Sequence, residues 1–244
     1  MDIQEIRNKA KRLLESGEVK VVVGYERGST ESKSTPAFIE SPDDVDRLIW
    51  DATCVNNLAA YAIQEAKNGG VAIIARDCDA RSIVMLVQEH QLDKDAVRVI
   101  EVPDETQWAD DPALPESLEE RRAFWAKEFE KCTRCYACRQ ACPGCFCNTC
   151  FIDRIVPRWA AKRAGASDAW MFHVTRAMHQ AGRCGDCREC SRVCPVGIPV
   201  HLLAREIETF VGELFDYKAG MDMDADPVLG TFTPEDPDPN EHGG

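Results

Sequence analysis

Eight of the thirteen cysteines in this 244-residue chain fall into two identical spacing patterns. Each pattern has three cysteines separated by two residues, followed by a gap of three residues, a fourth cysteine and a proline. The first pattern covers residues 132–143 and the second covers residues 184–195. Thiols at this density constrain the fold strongly, because the chain must form tight loops that bring sulfur atoms together.

This spacing is typical of 4Fe-4S ligation. Two-residue gaps let three thiolates reach three corners of a cubane, and the three-residue gap carries the fourth thiolate towards a second cluster. We therefore expect two 4Fe-4S clusters with exchanged fourth ligands. The expected ligands are Cys132, Cys135, Cys138 and Cys194 for the first cluster, and Cys184, Cys187, Cys190 and Cys142 for the second. A pair of zinc sites is the alternative, but zinc does not require this repeated arrangement.

Both cysteine segments carry a family resemblance. CTRCYACRQACP and CGDCRECSRVCPVGIPVHLL resemble the α-helical ferredoxin domain of heterodisulfide reductase small subunits and of succinate dehydrogenase-type iron-sulfur subunits. The forty-one residues between Cys142 and Cys184 favour this class over the compact β-hairpin ferredoxin. The resemblance implies a non-catalytic subunit that relays single electrons between other redox subunits of an anaerobic oxidoreductase complex, such as a hydrogenase, a formate dehydrogenase or a heterodisulfide reductase.

Five further cysteines predict a third metal site. Cys145, Cys147 and Cys150 lie in CFCNTC, Cys78 follows the predicted strand VAIIAR, and Cys54 precedes that strand. Open α/β sheets bind ligands at the ends of their strands, so four of these five thiols would hold a third iron-sulfur cluster, or a zinc ion, between the N-terminal lobe and the CFCNTC loop. The alternative is that Cys54 and Cys78 are small buried hydrophobic residues.

The first 105 residues predict an α/β lobe with a small parallel sheet. KVVVGY, VAIIAR and VRVIEV are short runs rich in β-branched residues, which is typical of buried strands. Helices are expected at about 2–16, at about 42–67, where Ser41 and Pro42 form an N-cap signal, and through SIVMLVQEHQ. This alternation favours helices packed on a parallel sheet.

The rest of the chain divides into three further segments. Residues 106–131 are an acidic, proline-containing linker that ends in a helix at about 116–131. Residues 132–215 are expected to form the helical dicluster domain. Its helix between the two cysteine patterns is indicated by apolar residues at spacings of three and four, namely Trp170, Met171, Val174 and Met178.

Residues 216–244 are an acidic tail rich in proline and glycine, which we expect to be extended. Val228, Leu229 and Phe232 suggest an apolar anchor that orders against another subunit. A disordered, solubilising tail is the alternative.

The N-terminal lobe has a resemblance of its own. VAIIARDCDARSIVMLVQEHQL is similar to a segment of the β subunits of coenzyme F420-reducing hydrogenases and formate dehydrogenases, which are flavoproteins. The resemblance implies a second hypothesis, a flavin-binding subunit that itself reduces a small electron carrier. However, the lobe is short, and neither a G-x-G-x-x-G motif after a predicted strand nor a Walker A motif occurs, so FAD is not an expected cofactor.

Charge bears on partners and location. The net charge of −13 argues against a nucleic-acid partner, since phosphate binding depends on basic side chains. Residues 132–200 are the exception, with ten Lys and Arg against four Asp and Glu, which offsets clusters of about −2 each. The sequence shows neither the pattern of a leader nor an apolar run of about 20 residues. We therefore expect a cytoplasmic, soluble protein without a transmembrane segment. In that compartment its thiols are expected to bind metal rather than form disulfides.

Overall fold

The computed structural model describes residues 2–30, 32–104, 106, 108, 110–161 and 165–230. The N-terminal lobe contains a four-stranded mixed sheet in the order β2–β1–β3–β4. The strands are β1 (Val21–Arg27), β2 (Ser34–Ile39), β3 (Val71–Ala75) and β4 (Val97–Glu101). β1, β3 and β4 are parallel, whereas β2 is antiparallel to β1. The three predicted strands are confirmed, but the prediction of an entirely parallel sheet is wrong because of β2.

Strand β2 lies at the edge of the sheet, where a proline can be accommodated. Pro36 pairs with Tyr25 of β1. Proline has no backbone N–H to donate, so it is accepted in a strand only where no further strand pairs beyond it. The connection is closed by a hydrogen bond from the backbone N–H of Gly28 to the carbonyl oxygen of Lys33 (2.8 Å).

Helices cover both faces of the sheet. Side chains alternate between the two faces of each strand. On one face, Val22, Ala72 and Ile74 pack with Ile6 of α1 (Ile3–Glu15). On the other face, residues such as Ile73 pack with α2 (Ala59–Ala66) and α3 (Asp77–Gln88). The lobe is therefore a three-layer α/β unit, as predicted.

The predicted helix over 42–67 is wrong in its middle. Pro42–Arg47 forms a 3-10 turn, and α2 begins only at Ala59. Leu48 packs in the core on the α1 face, whereas Leu58 packs in the core on the opposite face. One continuous helix cannot cross from one side of the sheet to the other, so the chain between these residues must leave the helical conformation.

The cysteine-rich part of the chain is helical, as predicted. Its helices are α4 (Leu118–Glu130), α5 (Ala137–Gln140), α6 (Phe151–Arg154), α7 (Ala166–His179), α8 (Glu189–Arg192) and α9 (Val200–Phe215). The helix predicted from Trp170, Met171, Val174 and Met178 is confirmed as α7. Trp170 and Met171 pack partly buried against neighbouring hydrophobic clusters, whereas Met178 is 52% exposed. Within the described ranges, no helix combines the length and apolarity that crossing a membrane requires.

The chain after α9 turns back onto the N-terminal lobe. The hydroxyl of Tyr217 donates to Oε1 of Gln88 on α3 (3.2 Å), and Nε2 of the same glutamine donates to the carbonyl oxygen of Asp222 (2.7 Å). Nε of Arg81 donates to the carbonyl oxygen of Ala219 (2.9 Å). The first part of the acidic tail therefore lies along α3 of the same chain, a contact that its composition does not reveal.

The three residues predicted as an apolar anchor have different surroundings. Val228 lies beside Gly182, where an added Cβ would approach the valine Cβ to 3.2 Å. Leu229 is exposed. Phe232 lies outside the described residues.

Candidate metal centres

Four thiols line one cavity in the cysteine-rich region. They are Cys132, Cys135, Cys138 and Cys194, here called the first thiol set. Cys132 and Cys135 come from the loop between α4 and α5, Cys138 lies in α5, and Cys194 comes from the loop between α8 and α9. Phe172 and Ile198 contribute apolar walls to the same cavity. The structure thus brings together all four residues predicted for the first cluster.

The remaining four predicted ligands are also neighbours. They are Cys184, Cys187, Cys190 and Cys142, here called the second thiol set. Burial raises the pKa of the Cys184, Cys187 and Cys190 thiols, and the charge of Cys142 raises each of them further, for Cys190 to about 12. Each of these three thiols therefore lies close enough to Cys142 to interact with it electrostatically.

The thiols are spread around their sites rather than gathered at a point. Among the described residues, no three Cys, His, Asp or Glu side chains are close enough together to hold a single metal ion. Zinc binds sulfur at about 2.3 Å and would require such convergence. A cubane takes one thiolate at each iron, so widely placed thiols around a cavity fit it better.

The two ligand loops share an unusual backbone conformation. Arg134 and Tyr136 flank the second cysteine of the first pattern with φ angles of 52° and 62°, and Asp186 and Arg188 do the same in the second pattern with 57° and 59°. None of the four is glycine, and the left-handed conformation costs such residues about 1 kcal/mol or more each. Strain repeated at matching positions indicates that the loops are shaped for a ligand.

Backbone and side-chain donors point at the sulfur atoms of the first thiol set. The backbone N–H of Arg134 donates to Sγ of Cys132 (3.4 Å), and that of Ile198 donates to Sγ of Cys194 (3.4 Å). Nε2 of His173 lies 3.3 Å from Sγ of Cys132. Donors to thiolate sulfur stabilise its negative charge and help set the potential of a cluster.

His173 is held as a neutral ring. Burial, together with the nearby positive charges of Arg176 and Arg134, lowers its pKa to about 4. The ring stacks on Phe129 with a centroid separation of 4.6 Å and an interplanar angle of 9°. Nδ1 is buried without a hydrogen-bond partner, so the proton belongs on Nε2, from which it is donated to Cys132.

Arg176 lies between the two thiol sets. Its guanidinium is buried and donates from Nη2 to the backbone oxygen of Cys138 (3.2 Å). The charges that raise its pKa are, in order, those of Cys142, Cys145, Cys190 and Cys138, although burial opposes them. This single positive charge therefore acts on thiols of both sets and offsets part of the negative charge of each set.

The second thiol set faces the N-terminal lobe. A Cβ added to Gly185 would lie only 2.8 Å from the carbonyl oxygen of Cys78, so glycine is what lets α3 approach this ligand loop. The contact is reinforced by a bidentate ion pair between Arg183 and Glu89, with both N–O distances at 2.6 Å. The lobe and the cysteine-rich region are thus joined at the second set.

The other five cysteines are not brought together at one place. Cys145, Cys147 and Cys150 line a single cavity. Cys54 is buried in the core of the lobe, with Sγ 3.9 Å from the carbonyl oxygen of Ile49, and burial raises its pKa. Cys78 lies at the start of α3, where burial raises its pKa to about 12.

Sequence reasoning missed His173 and Arg176. A signal for them exists, because both lie on the same face of α7 as Ala169, Phe172 and Ala177, which are buried. A histidine and an arginine on the buried face of a helix require partners, and thiolates are the partners nearby.

The cysteine-rich region is similar to a family of known proteins. Residues 116–198 match the family model of the 4Fe-4S dicluster domain. The chain is 27% identical over 105 residues to the F420-dependent formate dehydrogenase subunit beta of Methanocaldococcus jannaschii, a match that covers 43% of this chain and 27% of that protein. It is 34% identical over 110 residues to the F420-dependent formate dehydrogenase 1 subunit beta of Methanococcus maripaludis, covering 45% of this chain and 28% of that protein.

A third relative belongs to a different enzyme. The succinate dehydrogenase iron-sulfur subunit of Bacillus subtilis is 30% identical over 103 residues, covering 36% of each chain. The chain thus spans between 27% and 36% of the length of these relatives. The resemblances to formate dehydrogenase β subunits and to succinate dehydrogenase iron-sulfur subunits are confirmed, and residues 116–198 match the 4Fe-4S dicluster domain.

Proposed function

We propose that this chain is an iron-sulfur electron-transfer subunit of a multisubunit oxidoreductase. The dicluster domain supports the cofactor class, and the named formate dehydrogenase and succinate dehydrogenase subunits support the setting. The observation that carries the proposal is the cavity lined by Cys132, Cys135 and Cys138 of the first pattern together with Cys194 of the second, which supports an exchange of fourth ligands between two neighbouring sites. Two such sites side by side provide a path for electrons rather than a pocket for a substrate.

Each thiol set would hold one 4Fe-4S cluster, which supplies reversible one-electron chemistry with little rearrangement. The rest of the work falls to this chain's own residues. His173 and the backbone N–H groups of Arg134 and Ile198 donate towards sulfur, and Arg176 places positive charge between the two sets. Phe172 is an apolar wall beside the first set, in which Cys138 is buried and Cys135 is exposed.

The exchange of fourth ligands is tested with pairs of substitutions. Cys194→Ala and Cys132→Ala should each remove about four iron atoms per chain, because both remove the same cluster. The double variant should lose no more iron than either single variant. Cys132→Ala combined with Cys142→Ala should lose about eight iron atoms per chain. If Cys194→Ala instead lost only the cluster of Cys184, Cys187 and Cys190, the exchange would be wrong.

The redox role is tested separately from the ligand assignment. Dithionite should bleach the visible absorbance of the anaerobically purified protein, and the reduced protein should return electrons to a one-electron dye. Absorbance that resists the reductant would make the clusters structural. A flavin released by acid would point to the other hypothesis, a subunit that itself reduces a small carrier.

The partners are proposed to be other redox subunits that dock near the clusters. Affinity purification from native cells, followed by mass spectrometry, should recover oxidoreductase subunits in stoichiometric amounts. Recovery of the chain alone at low and physiological ionic strength would count against a permanent complex.

A further inference from the structure

We propose that Cys145, Cys147 and Cys150 hold a third iron-sulfur cluster whose fourth iron has no cysteine ligand from this chain and is open to a small anion. The inference rests on the proposed electron-transfer function, which it extends with a site for ligand binding. The sequence predicted four thiolate ligands among five cysteines. The proposal restricts the ligands to three of these cysteines and leaves the fourth position to a small anion.

The three thiols share one cavity of about 700 Å³. They lie in a C-x-C-x-x-C segment that leaves the end of the first pattern and leads into α6. The segment is anchored at both ends, because the backbone N–H of Cys145 donates to the carbonyl oxygen of Cys142 (3.0 Å) and that of Asp153 donates to the carbonyl oxygen of Cys150 (3.0 Å). Because these three thiols line a cavity rather than pack in a hydrophobic core, their arrangement favours the binding of a ligand.

The cavity is basic throughout its described lining. Five cationic side chains line it, namely Lys67, Arg139, Arg154, Arg176 and Arg183, of which Arg183 is paired with Glu89 outside the lining. No carboxylate lines it among the described residues, although the chain as a whole carries a net charge of −13. Concentrated positive charge beside three thiols offsets the net negative charge of a thiolate-ligated cluster.

Two polar side chains add hydrogen-bond donors to the buried wall of the cavity. Nε of Arg176 is buried without a hydrogen-bond partner, which leaves a charged donor available on this side. Nε2 of Gln180 lies 3.6 Å from Sγ of Cys145 and also donates to the carbonyl oxygen of Gly144 (2.9 Å). The wall therefore supplies donors to an anionic occupant.

The fourth ligand cannot be either of the remaining thiols in the arrangement observed. The polar neighbours of Cys54 are Ile49 and Asp51, and Sγ of Cys78 lies 3.8 Å from Asp79. Neither cysteine lines the basic cavity. A cubane with three protein thiolates has one iron whose outer position takes a solvent molecule or a small anion, and the surrounding cations favour an anion.

The position of Cys145 links this site to the electron path. The backbone N–H of Cys145 donates to the carbonyl oxygen of Cys142 (3.0 Å), and Cys142 belongs to the second thiol set. A cluster on Cys145 would therefore lie directly beside the second thiol set. Electrons could reach an anion bound at the open iron without leaving the protein.

Iron counting tests the ligand set. The anaerobically purified chain should contain about twelve irons, and Cys147→Ser and Cys150→Ser should each reduce this to about eight. Cys54→Ala and Cys78→Ala serve as matched controls that remove a thiol and should leave the count unchanged. A parent count near eight that none of these variants changes would overturn the third cluster. Loss of four irons in either control would make a lobe cysteine the fourth ligand and overturn the open position.

The open iron has a spectroscopic test. Mild oxidation with ferricyanide should release one iron from the three-thiolate cluster and produce the electron paramagnetic resonance signal of a three-iron cluster. The signal should be absent in Cys147→Ser, whose two ferredoxin-type clusters should still be reducible, so that failure here is distinct from failure of the proposed function. His179 also lines the cavity. An unchanged signal in His179→Ala supports the open position, whereas a changed one assigns it to the imidazole.

Discussion

Nη2 of Arg176 donates to the backbone oxygen of Cys138 at 3.2 Å, and the same buried guanidinium lies near Cys142 and Cys190. A single cation therefore bears on both thiol sets. Because reduction adds negative charge to a cluster, a fixed positive charge nearby favours the reduced state of each one.

Arg176→Met should lower the midpoint potentials of both ferredoxin-type clusters. At an effective dielectric constant of about 20, a unit charge at roughly 7 Å contributes about 2 kcal/mol, which is about 100 mV for a one-electron couple. Arg176→Lys should retain much of the effect. Arg98→Met, which removes a surface charge in the lobe, should leave both potentials unchanged in an anaerobic redox titration. A shift in one cluster only would contradict the shared role.

His173→Phe should lower the potential of the first cluster alone. The substitution keeps an aromatic ring to stack on Phe129 but removes the donor to Cys132. A hydrogen bond that is about 1 kcal/mol stronger in the reduced state corresponds to about 40 mV. His179→Phe on the same helix is the control. Equal shifts in both clusters would show that the ring acts through packing instead.

Asp79→Ala should destabilise the lobe by about 3–5 kcal/mol, because it leaves a buried arginine without its counter-charge. Both side chains of the Arg76–Asp79 pair are fully buried, with Nε to Oδ2 at 2.9 Å. The double variant Arg76→Met with Asp79→Leu should recover part of the loss. Anaerobic urea unfolding measures these differences, and Glu18→Ala, in an exposed ion pair, should change the free energy of unfolding by less than about 1 kcal/mol.

Truncation after Tyr217 should loosen the lobe from the dicluster domain. It removes the carbonyl acceptors of Ala219 and Asp222, which hold Arg81 and Gln88 of α3. We expect faster loss to a chelator of the cluster proposed for the second thiol set, since the loop of that set contacts the lobe at Gly185. Truncation after Gly230 keeps these contacts and should behave like the full chain in this assay. Recovery of partner subunits can be measured for both variants. If truncation after Tyr217 weakened this recovery and truncation after Gly230 did not, the segment that folds back onto the lobe, rather than the acidic end, would be the docking element.

The sequence predicted the parts of this molecule that follow from spacing. Cysteine spacing predicted which thiols lie together, and the β-branched runs predicted three of the four strands in the described part of the chain. Strand β2 was missed because Pro36 and its polar neighbours are unfavourable in a strand, and only the edge position makes them acceptable. The prediction of one helix over 42–67 was wrong because a local N-cap signal carries no information about where the chain crosses from one face of the sheet to the other.

The electrostatic part of the site could not be predicted in the same way. Arg176 becomes significant only when the folding of α7 places it between thiols that are distant in sequence. Likewise, the lone cysteines Cys54 and Cys78 cannot be separated from the CFCNTC thiols until the fold shows which of them line the same cavity.

The exchange of fourth thiols between the two loops also affects how the protein would mature. A metal group on the first thiol set would connect residue 132 to residue 194 and so act as a crosslink across the intervening chain. Such a crosslink reduces the conformational entropy of the unfolded chain, and it does so more for a longer loop. It would also carry the second pattern's loop towards Cys142, so that the second group binds to a partly organised site. At limiting iron, the population should therefore separate into fully loaded and empty chains, with few half-loaded ones.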